Sequence, residues 1–278
     1  MKHKASSGKA RRCAGGWMIL WASAVMMWLS GCADGPGGTA AYQAPSPEAL
    51  ASGGVEETRE SKPAEERPGL ATGFGKRVKD PWHRQSFVRD AAKPKGTDVI
   101  YYNDREGVDA MTSYKRKVGG LQSAAGELVE WGIKGRVGFL PSYKTGYYGE
   151  NRRFVVGSEG APYSIVLRNR CKSRLEVVVS VDGLDVIDGK PASFGKRGYV
   201  ISPGKTLEIK GWRTSWDGVA RFEFSDVGAS YTNQRYGKAR NVGVIGLAVF
   251  GEKGVDPWKW MPNEVETRTT ANPFAESP

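Results

Sequence analysis

The alternation of apolar and polar side chains between residues 163 and 250 constrains the fold of this chain most strongly. Apolar residues occupy every second position in RLEVVVSVD, residues 174–182, and the same period recurs in YSIVLRNR, TLEIK and ARFEFS. A two-residue period places one set of side chains on one face of a β-strand, whereas a helix has a period of about 3.6 residues. Turn sequences such as SEGAP and SPGK separate these segments. The pattern predicts a mainly β fold: an antiparallel β-sandwich, jelly-roll or immunoglobulin-like, with one or two short helices.

Two stretches predict the short helices. In SDVGASYTNQRYG, residues 225–237, Ser225 is suited to the N-cap, Asp226 to the positively charged first turn, and Gly237 to the helix end. GVDAMTSYKRKVGG, residues 107–120, is the second predicted helix. Further strands are predicted in ELVEWGI, RVGFLP and RFVVG, which precede residue 160.

Composition divides the chain into four predicted parts. Residues 1–31 form a basic and apolar leader, and residues 32–97 form an N-terminal segment and a flexible linker. The linker contains much Gly, Pro, Ala, Ser and Glu, and such a segment buries too little apolar surface to offset its ordering entropy. Residues 98–254 form the β-sandwich domain, and residues 255–278 form an irregular C-terminal tail.

The first 31 residues have the organisation of a bacterial export signal. Five basic and no acidic residues precede an apolar run, WMILWASAVMMWL, that ends in small residues. The alternative is an uncleaved membrane helix. Thirteen residues in a helix reach about 20 Å, however, whereas the hydrocarbon core of a bilayer measures about 30 Å. The sequence therefore favours a cleaved signal.

Leu29-Ser30-Gly31-Cys32 resembles the lipobox of bacterial lipoproteins. The resemblance implies cleavage after Gly31, a diacylglyceryl group on the Cys32 sulfur, and a further acyl chain, such as palmitate, on the new amine. Two or three acyl chains give stable membrane attachment, whereas one gives only marginal attachment. In enteric lipoproteins, aspartate directly after the lipidated cysteine retains the protein at the inner membrane. Ala33 occupies that position here, so the resemblance favours the outer membrane.

A second resemblance covers residues 163–250. The succession VDGLDVIDGKPAS, GYVISPGKTLEIKGWR, VARFEF and NVGVIGLAVF is similar to a domain that recurs in uncharacterised bacterial envelope proteins. That family has no assigned reaction. The resemblance therefore implies the fold and the envelope compartment, and nothing more.

Charge and cysteine content restrict the partners. Removal of the signal lowers the net charge from +11 to +6, because 36 Lys and Arg then remain against 30 Asp and Glu. The remaining excess suits anionic lipid or cell-wall polymers. Nucleic acid is not an expected partner, because the sequence contains neither a clustered basic stripe nor a known recognition module. Cys13 leaves with the signal and Cys32 carries lipid, so Cys171 has no partner for an intramolecular disulfide.

Residues for catalysis or metal binding are scarce. His3 leaves with the signal, and His83 lies in the predicted linker, so a histidine-based triad or an ordinary zinc site is not expected. We therefore predict no enzyme activity and no cofactor. A carboxylate-dependent glycan hydrolase, which needs only two acidic residues, is retained as an alternative. The acids that qualify by type are Asp182, Asp185, Asp188, Asp217, Glu223 and Asp226.

The segment DGLDVIDG concentrates Asp182, Asp185 and Asp188 within seven residues. A helix-loop-helix calcium loop would place oxygen ligands at alternate positions and a glutamate at the twelfth position. Here the acids fall at every third residue, and the twelfth position counted from Asp182 is Ser193. Two Asp-Gly turns are the favoured interpretation, because aspartate bonds nearby amides and glycine accepts positive φ. A non-standard cation site remains the alternative.

Aromatic residues outside the strand pattern provide a candidate ligand surface, formed by Trp212, Trp216 and Tyr231. Exposed aromatic rings beside basic groups stack on sugars or anchor protein partners. The competing interpretation is that these rings cover one end of the sandwich. The expected function is that of a lipid-anchored, non-enzymatic envelope protein with a binding or scaffolding role. Two alternatives remain, namely a glycan- or peptidoglycan-binding module that uses the aromatic loop and the carboxylate hydrolase.

Overall fold

A computed structural model describes residues 66–112, 115–147 and 150–272 of the chain. The predictions for the signal peptide, the lipobox and Cys32 lie outside these residues, as does the linker up to residue 65. Among the described residues, none of the helices has the length and apolarity needed to cross a bilayer.

Two β-sheets make up most of the described structure, so the predicted mainly β sandwich is confirmed. Three short helices accompany them. In chain order the elements are β1 (Leu70–Lys79), β2 (Gly96–Asn103), α1 (Arg105–Met111), β3 (Arg116–Val118), β4 (Gln122–Ala124), β5 (Val129–Lys134), β6 (Ser142–Tyr147), β7 (Glu150–Val156), β8 (Pro162–Asn169), β9 (Leu175–Val181), β10 (Leu184–Asp185), β11 (Tyr199–Ile201), β12 (Thr206–Ile209), β13 (Gly211–Arg213), β14 (Gly218–Asp226), α2 (Tyr231–Tyr236), β15 (Val244–Gly251) and α3 (Pro262–Thr269).

The first sheet has the strand order β1-β14-β8-β5-β4, with β12 paired to β8 and β13 paired to β14. The second sheet has the order β10-β9-β15-β2-β7-β6-β3, with β11 paired to β9. All described strand pairs are antiparallel except β2 and β7, which run parallel. The predicted sandwich is therefore correct in class, but it is not purely antiparallel.

The hydrophobic core lies between the two sheets and consists of the alternating apolar side chains that the sequence predicts. Leu175, Val177, Val179 and Val181 of β9 are all buried. Aromatic rings meet across the interior, where the ring of Tyr102 from β2 lies against that of Phe224 from β14 with centroids 5.4 Å apart. Full burial of one such large side chain contributes about 1.5–3 kcal/mol, so these residues dominate the stability of the domain.

The domain begins earlier than residue 98, and this corrects the predicted linker of residues 32–97. Strand β1 pairs antiparallel with β14 from Leu70, opposite Asp226, to Lys79, opposite Gly218. Further along the same segment, Arg89 Nε donates a hydrogen bond of 2.7 Å to Glu176 on the outer face of the second sheet. The many charged and glycine residues of this segment hide its strand, because only its first residues are buried.

The sequence predicts an irregular tail for residues 255–278, and this prediction is wrong in part, because residues 262–269 form helix α3. The segment that leads into the helix is attached to the domain. Met261 is buried, and its Sδ lies 4.0 Å from Cys171 Sγ. Trp258 Nε1 donates a hydrogen bond of 2.9 Å to the Gly126 carbonyl.

Helix α2 ends where the sequence predicts and begins later. Gly237 ends it with a left-handed φ of 58°. Its N-cap is Ser230, whose hydroxyl accepts from the Asn233 amide, whereas Ser225 and Asp226 belong to the end of β14. These two residues extend β14 because they pair with Ala71 and Leu70 of β1.

Before residue 160, the predicted strands ELVEWGI and RFVVG are confirmed as β5 and β7, whereas two other predictions are wrong. Helix α1 covers only residues 105–111, and part of the predicted helix of residues 107–120 forms strand β3. RVGFLP is not a strand either, since it makes only the isolated bridge between Lys134 and Phe139.

Candidate ligand-binding surface

The first Asp-Gly pair forms the predicted turn. Asp182 and Gly183 connect β9 to β10 as a two-residue loop, since Val181 pairs with Leu184. Both loop residues have positive φ, at 51° and 82°. Two consecutive positive φ values are those of a type I′ hairpin turn, in which Asp-Gly is a favoured sequence.

The side chain of Asp182 enters the interior and joins the two sheets, a role that the sequence did not indicate. One carboxylate oxygen accepts hydrogen bonds from the Tyr102 hydroxyl at 2.6 Å and from the Gly243 amide at 2.9 Å. The other accepts from the Thr72 amide at 2.8 Å. The Thr72 hydroxyl lies 2.6 Å from the hydroxyl of Tyr102 and 2.7 Å from that of Tyr163. Asp182 therefore holds β1 against β2 through a buried polar network.

Burial has an electrostatic consequence for this network. Loss of hydration raises the pKa of Asp182 to about 6, although the hydrogen bonds from Tyr102, Thr72 and Gly243 act in the opposite direction. Burial also raises the pKa of Tyr102 and Tyr163 well above the usual value, and the nearby carboxylate adds to the effect. These groups are sealed from solvent, so they act as structural links between strands.

Asp185 and Asp188 are engaged separately. Asp185 is buried, one oxygen accepts from the Ile187 amide at 2.9 Å, and burial raises its pKa to about 6. Asp188 pairs with Lys196 at 2.6 Å and accepts from the Lys190 amide at 2.9 Å, which forms the second turn. No group of three or more metal-ligating side chains occurs in the part of the chain that the structure describes. The three aspartates thus stabilise turns and accept hydrogen bonds in the protein interior.

The remaining acids of the hydrolase hypothesis lie elsewhere. Asp217 accepts a hydrogen bond from the Ser215 hydroxyl at 2.7 Å, and this bond lowers its pKa. Asp226 accepts from the Ala229 amide at 2.7 Å, after the end of β14. A glycan hydrolase requires two carboxyl groups that face one open cleft. Asp182 and Asp185 do not meet this requirement, because each has only 1% of its surface exposed.

Trp212 does not belong to an exposed surface, which corrects the predicted ligand surface. Only 2% of its surface is exposed. Its ring packs edge-on against Phe222 with centroids 5.3 Å apart and lies 5.0 Å from the ring of Tyr231. The reason is its position in β13, where it pairs with Ala220 of β14.

Trp216 is exposed, as the hypothesis of a ligand surface requires, and its ring packs on a second tryptophan that the sequence analysis missed. Half of the Trp216 surface is exposed. Its ring stacks on that of Trp82, with centroids 5.5 Å apart and an angle of 19° between the planes. The Arg84 guanidinium lies 5.1 Å from the centre of the Trp216 ring. We call this pair, with Arg84, the tryptophan platform.

Hydrogen bonds fix the two halves of the tryptophan platform to each other. The Trp82 amide donates to the Trp216 carbonyl at 3.3 Å, and the Asp80 amide donates to the Asp217 carbonyl at 2.7 Å. The buried Arg213 donates to the Asp80 side chain at 2.9 Å and lies 5.4 Å from the Trp82 ring centre. The rings are therefore held before any ligand arrives, which reduces the entropy lost on binding.

Tyr231 lies on a different part of the surface. Its ring contacts Phe74, with centroids 5.4 Å apart, and the buried Trp212. Burial raises the pKa of its hydroxyl, although the positive charge of Arg235 opposes the shift. Of the three residues of the predicted ligand surface, Trp216 is thus the exposed aromatic centre. Trp82 joins it, although the sequence analysis had assigned this residue to the linker.

The chain matches no protein-family model, no curated protein and no solved structure. The resemblances to the lipobox and to the envelope domain therefore stay predictions from the sequence.

Proposed function

We propose that this chain is a lipid-anchored protein of the bacterial envelope, without enzymatic activity, whose β-sandwich domain binds a cell-wall glycan. The tryptophan platform is the observation that carries the proposal. A half-exposed indole that stacks on a second ring presents a flat, fixed apolar surface on which a ligand can stack.

The chemistry of the platform suits a sugar that carries a negative charge. The C–H face of a sugar ring is apolar and stacks on an indole ring, while its hydroxyl groups stay hydrated. Arg84, at 5.1 Å from the Trp216 ring, and Arg77, which lies 3.5 Å from Asp217, place cationic groups beside the rings. Cell-wall glycans bear carboxylate or phosphate groups that such arginines pair with.

The proposed anchor places the domain within reach of the wall. Lipid on Cys32 would leave residues 33–69 between the membrane and β1. Arg67 donates a hydrogen bond to the Ala239 carbonyl, so the flexible linker that the composition predicts would comprise at most the 34 residues 33–66, with an average span of about 30 Å. We place the protein at the outer membrane, because Ala33 and not aspartate follows the cysteine.

The anchor is tested by acyl labelling of cells that express the chain. Cys32→Ala should abolish the label and leave the precursor unprocessed, because the substituted side chain has no thiol to accept the diacylglyceryl group. Normal labelling of this variant would refute the lipoprotein assignment.

The glycan is tested by co-sedimentation of the protein with purified peptidoglycan sacculi. Trp216→Ala should weaken binding by about ten-fold, since loss of one stacked ring costs about 1.4 kcal/mol. Trp216→Phe keeps a smaller ring and should retain part of the affinity. Phe194→Ala is the matched control, because Phe194 is an equally exposed ring outside the tryptophan platform. If the folded parent does not sediment with sacculi, the hypothesis of a protein-interaction scaffold is favoured instead.

A further inference from the structure

A second open site lies where the end of β8 meets the segment that leads into α3. It is a groove of about 630 Å³, and we call it the basic groove. Three cationic side chains line it, from Arg168, Arg170 and Lys172. Trp260 and Val265 provide an apolar wall. The basic groove shares no residue with the tryptophan platform.

Positive charge in the basic groove exceeds the negative charge that faces it. Glu130 of the neighbouring strand β5 pairs with Arg170 at 2.8 Å and lies 3.9 Å from Arg168. None of the described residues that line the groove is acidic. Among the described residues that line the groove, cationic side chains are therefore in excess, and the groove attracts anions.

Buried hydrogen bonds fix the backbone that carries these cationic side chains. Asn169 is completely buried, and its side-chain amide donates to the carbonyls of Ser173 at 2.8 Å and Ile201 at 2.9 Å. Its side-chain oxygen accepts from the Cys171 amide at 2.8 Å. Arg168, Arg170 and Lys172 alternate with these fixed residues, so their side chains project from a rigid support towards the same opening.

Trp260 gives the groove its apolar wall at a conformational cost. Its φ is +60°, a region that bulky residues rarely adopt, yet half of its surface is exposed. Residues held in such conformations cluster at functional sites, where the surrounding structure maintains them. Here Met261 is buried next to it and keeps the segment attached.

We propose that the basic groove binds a phosphoryl group borne on a small organic body, with the phosphoryl oxygens on Arg168, Arg170 and Lys172 and the body against Trp260. Arginine presents donors in a fork that matches phosphate oxygens, and lysine adds a point charge. A phosphosugar and a glycerophospholipid headgroup both offer this chemistry. The site goes beyond the glycan binding proposed for the tryptophan platform and does not depend on it.

Calorimetric titration of the full chain with three soluble probes tests the assignment. Glucose 1-phosphate represents a phosphosugar, glycerophosphoglycerol represents a lipid headgroup, and glucose is the neutral control. Saturable binding of either phosphoryl probe without binding of glucose supports the proposal, and the tighter probe identifies the source. Failure of both phosphoryl probes to bind overturns it.

Variants then locate the binding. Arg168→Gln with Lys172→Gln should weaken binding of the phosphoryl probe at least about ten-fold. The control pair, Arg136→Gln with Lys238→Gln, removes the same charge from exposed positions elsewhere and should leave the affinity unchanged. An equal loss of affinity in both double variants would show that the probe is attracted by net charge alone, and it would overturn the assignment of the site.

Trp260→Ala provides an independent measurement at an exposed side chain, with the melting temperature recorded to confirm folding. It should weaken binding of glucose 1-phosphate several-fold, because the organic body loses its wall. An unchanged affinity in a folded Trp260→Ala variant would overturn the assignment to this groove.

Discussion

Asp182→Asn tests the buried network that joins β1 to the second sheet. Asparagine tolerates the positive φ of 51° at this position, so the turn itself should persist. It has about the same size as aspartate but does not ionise. The substitution therefore removes the titration of residue 182, while its amide nitrogen replaces one accepting oxygen and leaves a buried N–H donor unpaired, at a cost of about 1–3 kcal/mol that does not change with pH.

The magnitude follows from the pKa of Asp182, which burial raises from 3.8 to about 6. The folded protein then holds the proton more tightly than the unfolded chain. The stability that Asp182 contributes is complete below pH 3.8 and is lost as the pH rises towards 6. The difference between these two pKa values corresponds to about 3 kcal/mol in the free energy of unfolding. Relative to the parent, the Asp182→Asn variant should therefore gain about 3 kcal/mol in its free energy of unfolding between acidic and neutral pH.

Urea unfolding followed by tryptophan fluorescence measures this difference, with extrapolation to water at each pH. Burial raises the pKa of Asp185 to about 6 as well, but Asp185 is present in both proteins and cancels in the comparison. Glu106→Gln is the control, because Glu106 is an exposed carboxylate on α1. Parallel pH profiles for the parent and Asp182→Asn would refute the argument that residue 182 is a desolvated carboxylate.

Three further predictions concern the cysteine, the C-terminal segment and calcium. Burial raises the pKa of Cys171 to about 12, so iodoacetamide should not modify the folded protein at mildly alkaline pH and should modify it in urea. Rapid labelling of the folded protein would contradict the buried position. Met261→Ala should lower the free energy of unfolding by about 2–4 kcal/mol, because it empties a buried site next to Cys171. Val265→Ala, at a position with 42% of its surface exposed, should change it by less than about 0.5 kcal/mol, and equal effects would contradict the docking of the segment. Millimolar calcium should leave the melting temperature unchanged, because Asp182, Asp185 and Asp188 hold different partners. A calcium-dependent rise in melting temperature that Asp185→Asn abolishes would support the alternative of a cation site.

Strands with a clear two-residue period could be predicted from the sequence. The segments of β8, β9 and β14 alternate in sequence, and the structure confirms them as strands. Strand β1 was missed because GKRVK carries charged side chains on the outside, while its pairing depends on β14, more than a hundred residues away. Pairing between distant segments leaves little trace in local composition.

The candidate site shows the same limit. Trp216 follows a strand in a turn containing Asp217 and Gly218, which indicates exposure, whereas Trp212 lies four residues earlier and pairs inside the sheet. Trp82 could not be connected to Trp216 without knowing that Asp80 bonds to the segment around Arg213. The interior role of Asp182 likewise depends on Thr72 and Tyr102, which sequence spacing does not bring together.

Transfer of magnetisation from the protein to a soluble peptidoglycan fragment tests the central claim most directly. Saturation of the indole protons should attenuate the resonances of the sugar ring protons in the parent, because the proposal stacks a sugar on Trp216. The effect should disappear in Trp216→Ala and persist in Phe194→Ala. Absence of transfer in the folded parent, or transfer that Trp216→Ala leaves unchanged, would contradict the proposed glycan-binding function.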